Sequence, residues 1–253
     1  MLKTIRMETT SQLIDFLEKY RRFDLQLNER KINSKKEAFN QLINGFESIN
    51  STINFFEKKI ASAYNIFWIL KNVYKDETRT HSPFLADLLS INGEHRQNEL
   101  FYNEFLNILD IGDKLKFTPS IKSLQKVEIE KWTGNGSIDI LISYFDKEKR
   151  FAIAIEDKIY AEDQPKQLER YYSYLDSLYD DFLLVYLTPK GHKPAIPDSI
   201  DKELYEKLTK DKRLVLASYD KGITTLIANT LGLIQAPKVQ QIVSQYLEII
   251  KSL

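Results

Sequence analysis

The sequence predicts an α/β protein with a mixed β-sheet core flanked by helices and a helical N-terminal extension. Three observations predict it. Apolar residues in the first third recur at steps of three and four, the helical period. The middle of the chain holds short runs rich in β-branched and aromatic residues, separated by turn signals. A polar segment of helical spacing lies between two of these runs, and a strand–helix–strand crossover places its two strands parallel and right-handed.

The bulk composition bounds the function. The chain has 253 residues, 43% of them hydrophobic and 28% charged, which fits a folded domain with an appendage. Lysine and arginine together number 36, as do aspartate and glutamate, so net charge implies no general grip on polyanions. A local basic face remains compatible with that balance. Cysteine is absent, which excludes disulfides, thiolate zinc sites and cysteine nucleophiles. No apolar run approaches the roughly 20 residues of a membrane span, and the N-terminus lacks a signal peptide's apolar stretch. The expected setting is the cytoplasm, with no membrane contact.

The elements follow in order. Leu13, Phe16, Tyr20, Phe23 and Leu27 line one helix face. Lys31-Ile32-Asn33 interrupts that stripe, and Ser34 with Glu37 forms a capping box that predicts a second helix start. From there Phe39, Leu42, Phe46, Ile49, Ile53, Phe56, Ile60, Ala63, Phe67 and Leu70 form a heptad seam. Residues 1–74 therefore read as a helical extension, either a helical hairpin or a coiled coil that pairs two copies as a homodimer. Asn50, Ser51 and Asn54 lower helix propensity midway, which leaves room for a kink or a break there.

Residues 75–253 read as the second domain. Ser82-Pro83 predicts an N-cap and first-turn proline, opening a short helix with Phe84, Leu85, Leu88 and Leu89. Residues 100–109 form another helix. Strands are predicted over 126–132, 137–145 and 150–156. The last two form a hairpin, and residues 133–136 form a turn. A helix over 164–178 leads to strands at 182–187 and 213–218. Val239, Ile242, Val243, Tyr246, Leu247 and Ile250 mark a C-terminal helix.

The chemistry concentrates in the hairpin and the helix after it. Strand alternation puts Glu156 and Lys158 on one face with Ala152 and Ala154, and turns Asp139 away from Ile138 and Ile140. A hairpin can then set Asp139 beside Glu156. Two adjacent carboxylates repel and raise one another's pKa, a penalty that a divalent cation removes. Oxygen ligands in this number suit Mg²⁺, with Mn²⁺ as a substitute. Lys158 adds a positive charge able to orient water and stabilise a phosphate. The plain alternative is a cross-strand acid–lysine pair. Charges at the end of the apolar run 151–155 nevertheless demand a reason. Gln167, on the following helix, can hold a water or touch a phosphate oxygen. Tyr171, one turn on, serves the site or packs the core. Glu128 and Glu130 read as a solvated face. The loop 190–193 reads as a solvated basic loop or a backbone contact.

These residues resemble the PD-(D/E)XK nuclease superfamily, over roughly residues 75–218. Asp139 matches the first acid, Glu156 the second and Lys158 the lysine, while Gln167 and Tyr171 match the Gln-x-x-x-Tyr helix motif of RecB-like members. Ser137-Ile138 stands where the family motif has a proline before the first acid. Glu77, His81 and Ser82, with Leu85, Leu88 and Leu89, resemble an upstream Glu-x-x-x-His-Ser motif of a bacterial subgroup, and residues 155–172 resemble the same subgroup. The resemblance implies a restriction-endonuclease-like fold and Mg²⁺-dependent phosphodiester hydrolysis. It further implies a nucleic-acid substrate, DNA before RNA, and a setting in phage defence or DNA processing. Asp139, Glu156, Lys158 and Gln167 become the catalytic candidates, with Asp139 and Glu156 as metal ligands. Glu77, His81 and Tyr171 become candidate metal or substrate contacts. A different class of function is a nucleic-acid or partner-binding module whose nuclease site stays silent until a partner binds.

Overall fold

Two strands buried on both faces set the centre of the sheet. Ile153 and Ile155 of the third strand share one core with Leu183 and Val185 of the fourth, while Ala152, Ala154, Phe182 and Leu184 fill another. Only a sheet covered on both sides buries such continuous apolar runs. The computed structural model describes residues 2–60, 64–70, 75–110 and 118–253, with side chains of 2–12, 56–60 and 68 excluded. The chain divides into two units, Met1–Tyr64 and Asn65–Leu253.

In the first unit, α1 (Leu2–Ile60) is one helix of 59 residues. The expected break at Lys31-Ile32-Asn33 does not occur, and Ser34 with Glu37 lies inside the helix. The physical reason is that neither residue type stops a helix. Isoleucine and asparagine each cost well under about 1 kcal/mol relative to alanine, unlike proline. The helix also runs without a break past Asn50, although Ser51 and Thr52 return their hydroxyls to the Ser48 carbonyl at 2.8 and 2.9 Å and so compete for a ladder acceptor. A hairpin is therefore replaced by a single helix. Its apolar side chains are exposed, from Leu13 to Phe46 and Ile53. At 100° per residue, the 13–27 and 39–53 stripes face directions roughly 80° apart. Ala63 and the side chains of Phe56 and Ile60 lie outside the described residues. Phe67, expected in the same seam, instead packs against Phe84 and Tyr246 in the second unit.

The second unit opens with the short helix α2 (Ile66–Ile69). Asn65 ties it down by donating to the Gln245 carbonyl and to Glu248, both at 2.9 Å. A wide π-type turn, Glu77–His81, runs straight into α3 (Ser82–Leu89), and α4 (Leu100–Leu109) follows. Ser82 is not the predicted N-cap. The backbone is already helical before it, and Asp76 caps the turn by accepting from Arg79 N at 3.0 Å.

The sheet order is β1-β2-β3-β4-β5. β1 (Leu124–Trp132), β2 (Ser137–Asp146) and β3 (Lys149–Asp157) form the expected antiparallel meander. The β2–β3 hairpin turns on Lys147 and Glu148, both at positive φ, the geometry that matches strand twist. β4 (Asp181–Thr188) and β5 (Leu214–Ser218) add in parallel after the crossover helices α5 (Gln167–Leu178) and α6 (Lys202–Lys210). α5 starts three residues later than the helical spacing suggests, since Pro165 is followed by a left-handed Lys166 at φ 56°. A second π-type turn, Tyr219–Ile223, leads into α7 (Thr224–Leu231), then α8 (Pro237–Ile250). Residues of α3, α4, α7 and α8 cover one sheet face, while α5 and α6 cover the other. Among the described residues, no helix is long and apolar enough to cross a membrane.

Candidate active site

The site lies where two hydrogen-bonded strands part. The β2–β3 ladder runs from Asp146↔Lys149 to Ile140↔Ile155 and stops. One residue further on, Asp139 and Glu156 would be partners. The Asp157 N–H instead donates to the Asp139 side chain, at 2.7 Å to Oδ2. β3 meanwhile stays paired with β4 through Asp157↔Leu187, and Lys158 N donates to the Leu187 carbonyl at 2.8 Å. The end of β3 is thus held by the β4 backbone on one side and by the Asp139 side chain alone on the other, and β2 and β3 part into a cleft around Asp139 and Glu156. Simple alternation fails here: Ile138 packs with the α5 side and Ile140 with the α3 side, so they do not share the face opposite Asp139. The strand turns as it leaves its partner.

Glu156 is 1% exposed. Its Oε1 accepts from Gln167 Nε2 at 2.6 Å and lies 3.2 Å from Lys158 Nζ, while its Oε2 is buried without a partner among the described residues. Burial, and then the neighbouring Asp139, pushes its pKa well above the usual carboxylate range. Burial also raises the Asp139 carboxyl to about 6, against the opposing hydrogen bond from Asp157. Glu130 contributes to that rise. It stands across from Asp139 in the β1–β2 register, at φ 48°, between the pairs Ile129↔Ile140 and Lys131↔Ile138. Glu128, read as part of a solvated face, has a side chain only 19% exposed and is clipped by Lys126 and Lys131 at 2.9 and 3.2 Å.

Gln167 and Tyr171 lie on the inner face of α5, four residues apart. Gln167 Oε1 accepts from Gln164 N at 3.0 Å, and its Nε2 also reaches the Tyr171 hydroxyl at 3.1 Å. That hydroxyl donates to the Ser137 carbonyl. The amide therefore orients Glu156 while the tyrosine ties α5 to the start of β2.

Asp157, which the sequence reading passed over, points to the opposite sheet face. It is 2% exposed, and its Oδ2 accepts from Ser82 Oγ at 3.2 Å and from the Tyr219 hydroxyl at 2.9 Å. Burial, then Asp139, raises its pKa well above the usual range. A charged residue ending a strand buried on both faces was the available signal.

The upstream motif is spread over three tasks. Ser82 reaches Asp157, and His81, wholly buried, has Nδ1 2.9 Å from the Tyr246 hydroxyl. Glu77 Oε1 accepts the backbone N–H groups of Ile159, Tyr160 and Ala161, clamping the loop after Lys158. Neither Glu77 nor His81 forms a cluster of three or more potential metal ligands with Asp139 and Glu156 among the described residues.

This arrangement suits a hard divalent cation. Two carboxylates share a cleft, one buried oxygen lacks a partner among the described residues, and both acids offer oxygen alone. Mg²⁺ is bound by one or two carboxylates and retains several waters, so a larger protein cage is not needed.

No curated protein matches the chain. Among solved structures, a DNA modification-dependent restriction endonuclease, AspBHI, matches at 16% identity and a TM-score of 0.29, over 68% of this chain and 40% of that one. The chain thus spans less than half the length of that enzyme, and at this TM-score the likeness bears no structural argument. The family comparison is broader: it runs from residue 64 to 248, across the whole sheet and the cleft at its centre, and by it the chain belongs to the PD-(D/E)XK nuclease superfamily.

Proposed function

We propose that this protein is a Mg²⁺-dependent nuclease that hydrolyses phosphodiester bonds of DNA, with Mn²⁺ able to substitute. The observation that carries the proposal is the unpartnered Glu156 Oε2 beside Asp139, with Lys158 Nζ 3.2 Å from the other Glu156 oxygen. Asp139 and Glu156 would hold the cation. When bound, it supplies positive charge against the phosphate and lets water attack near neutral pH. Lys158 orients that water and balances charge building on the phosphate. Gln167 fixes the Glu156 carboxylate, and Tyr171 fixes Gln167. Glu77 holds the loop beyond Lys158 in place.

In this proposal residues 75–253 form the nuclease-like domain, with 1–74 as its extension. The exposed apolar stripes of α1 support pairing with a second copy. A role in defence against foreign DNA rests on family analogy. A second reading is favoured by one observation: Glu156 and Lys158, with side chains 2% and 9% exposed, are paired and closed off. On that reading the site is silent until a partner or substrate opens it.

The test is cleavage of labelled single- and double-stranded DNA and RNA by the full chain, in Mg²⁺ and in EDTA. Metal-dependent cutting of DNA is expected. Failure to cut any of the four in Mg²⁺ or Mn²⁺ contradicts the active-nuclease reading.

A further inference from the structure

We propose that the groove between the 133–136 turn and the outer face of α5 is a track for the phosphodiester backbone of the substrate strand. This rests on the nuclease reading and extends it to where the strand runs. The groove is a cavity of 410 Å³, walled by Thr133 and Asn135 on one side and by Lys166, Arg170, Ser173 and Tyr174 on the other.

Helix geometry makes the second wall. Positions 170, 173 and 177 follow steps of three and four and therefore share one face, and Lys166 precedes the helix at the same end of the groove. This face lies beside the inner one that carries Gln167 and Tyr171, so the groove begins one residue from the groups that hold Glu156. Over 167–177 the helix rises about 15 Å, against one phosphate per 3.4 Å along a B-form strand, room for about four phosphates.

The charges suit an anion. The Lys166 side chain is 74% exposed and its nearest acid, Glu169, is 3.7 Å away. Glu169 also lines the groove, but its Oε1 accepts from Asp201 N at 3.0 Å. Arg170 is held over the turn by the Pro165 carbonyl and by Gln164 Oε1, the latter at 3.1 Å. Its Nε is buried with no partner among the described residues. Gly136 holds the turn beside it: its φ of 126° favours glycine, and a Cβ there would meet Arg170 Nε and Nη2 at an ordinary contact distance of 3.5 Å. The Tyr174 ring offers a surface on which a base can stack. Glu130 lies near Asp76 and Asp139, and Glu77 near Asp157, so these acids, which would repel phosphate, gather about the ends of β2 and β3, and none of them lines the groove.

The test is fluorescence anisotropy of labelled 20-nucleotide single-stranded and duplex DNA on the full chain, with Ca²⁺ replacing Mg²⁺ and a salt series. Lys166→Gln should weaken binding roughly fivefold to tenfold and lower the log–log salt slope by about 0.7–0.9. Ser173→Glu, which inserts a negative charge into the groove, should weaken binding at least as much. Thr209→Glu on exposed α6 should not. Thermal melting confirms that each variant folds. Unchanged affinity and slope in both groove variants overturns the proposal, as does a wild type that binds neither DNA. Binding that depends on the groove in a protein that never cuts would refute the nuclease reading alone. Cleavage that needs Lys158 but is indifferent to the groove variants would refute the track alone.

Discussion

Replacing Asp139 with asparagine should stabilise the metal-free protein while removing its response to metal. The Asp139 carboxyl has an ordinary pKa of 3.8, raised to about 6 in the folded chain chiefly by burial. Because the folded value is the higher one, the folded state holds the proton more tightly. Its ionisation penalty is nearly absent below pH 3.8, grows as pH rises, and is complete above about 6. A gap of about two pH units, at about 1.4 kcal/mol each, gives a penalty of about 3 kcal/mol at pH 8 and about 0.6 kcal/mol at pH 4. Asparagine keeps an oxygen for the Asp157 N–H, bonded at 2.7 Å in the native chain, and carries no charge. Relief of repulsion on Glu156 acts in the same direction. In EDTA at pH 8, the substituted protein should therefore melt roughly 6–12 °C higher, with most of the gain gone at pH 4. Added Mg²⁺ at about 100 times its Kd should stabilise the wild type by about 2.7 kcal/mol, and the variant by much less. A variant less stable than wild type at pH 8, or equally stabilised at both pH values, would refute the argument that Asp139 is a buried carboxyl kept for a cation.

Three further outcomes follow from the surroundings of the cleft. Gln167→Leu removes the 2.6 Å hydrogen bond to Glu156 and should lower apparent Mg²⁺ affinity or cleavage by about 10–100-fold, read from metal titrations of the rate. Tyr171→Phe keeps the ring and leaves the Ser137 carbonyl without the hydroxyl donor, so denaturant unfolding should show a loss of about 1–2 kcal/mol, while cleavage falls less than in Gln167→Leu because Gln164 N still holds the Gln167 amide. Glu77→Ala frees three backbone N–H groups of the 159–161 loop, which hydrogen exchange should report as faster exchange confined to that loop.

The chemistry-bearing part of the fold was legible because its periods are strong. The run 151–155, the hairpin beside it and the crossover to β4 follow from alternation and from the handedness of such units. α6 was not legible: Lys202–Lys210 is mostly charged, and its packing rests on Leu204 and Leu208. α7 contains three threonines in eight residues, which dilutes its pattern. The single helix at the N-terminus was misread because a change of stripe at residues 31–33 looks like a break, although nothing there forbids helix. At the site, Asp139, Glu156, Lys158 and Gln167 were named from the sequence, and the structure gathers them around one cleft. The parting of β2 from β3 was hidden, since register ends are set by tertiary packing. So was Asp157, whose role depends on Ser82 and Tyr219, distant in sequence.

The central claim is that the acids and lysine at the end of β3 perform hydrolysis. The most direct measurement is the single-turnover cleavage rate of one DNA duplex at saturating Mg²⁺, wild type against Lys158→Ala. A fall of at least about 100-fold, with oligonucleotide binding preserved and the variant folded at the assay temperature, is the expected result. Equal rates in the two proteins would contradict the claim.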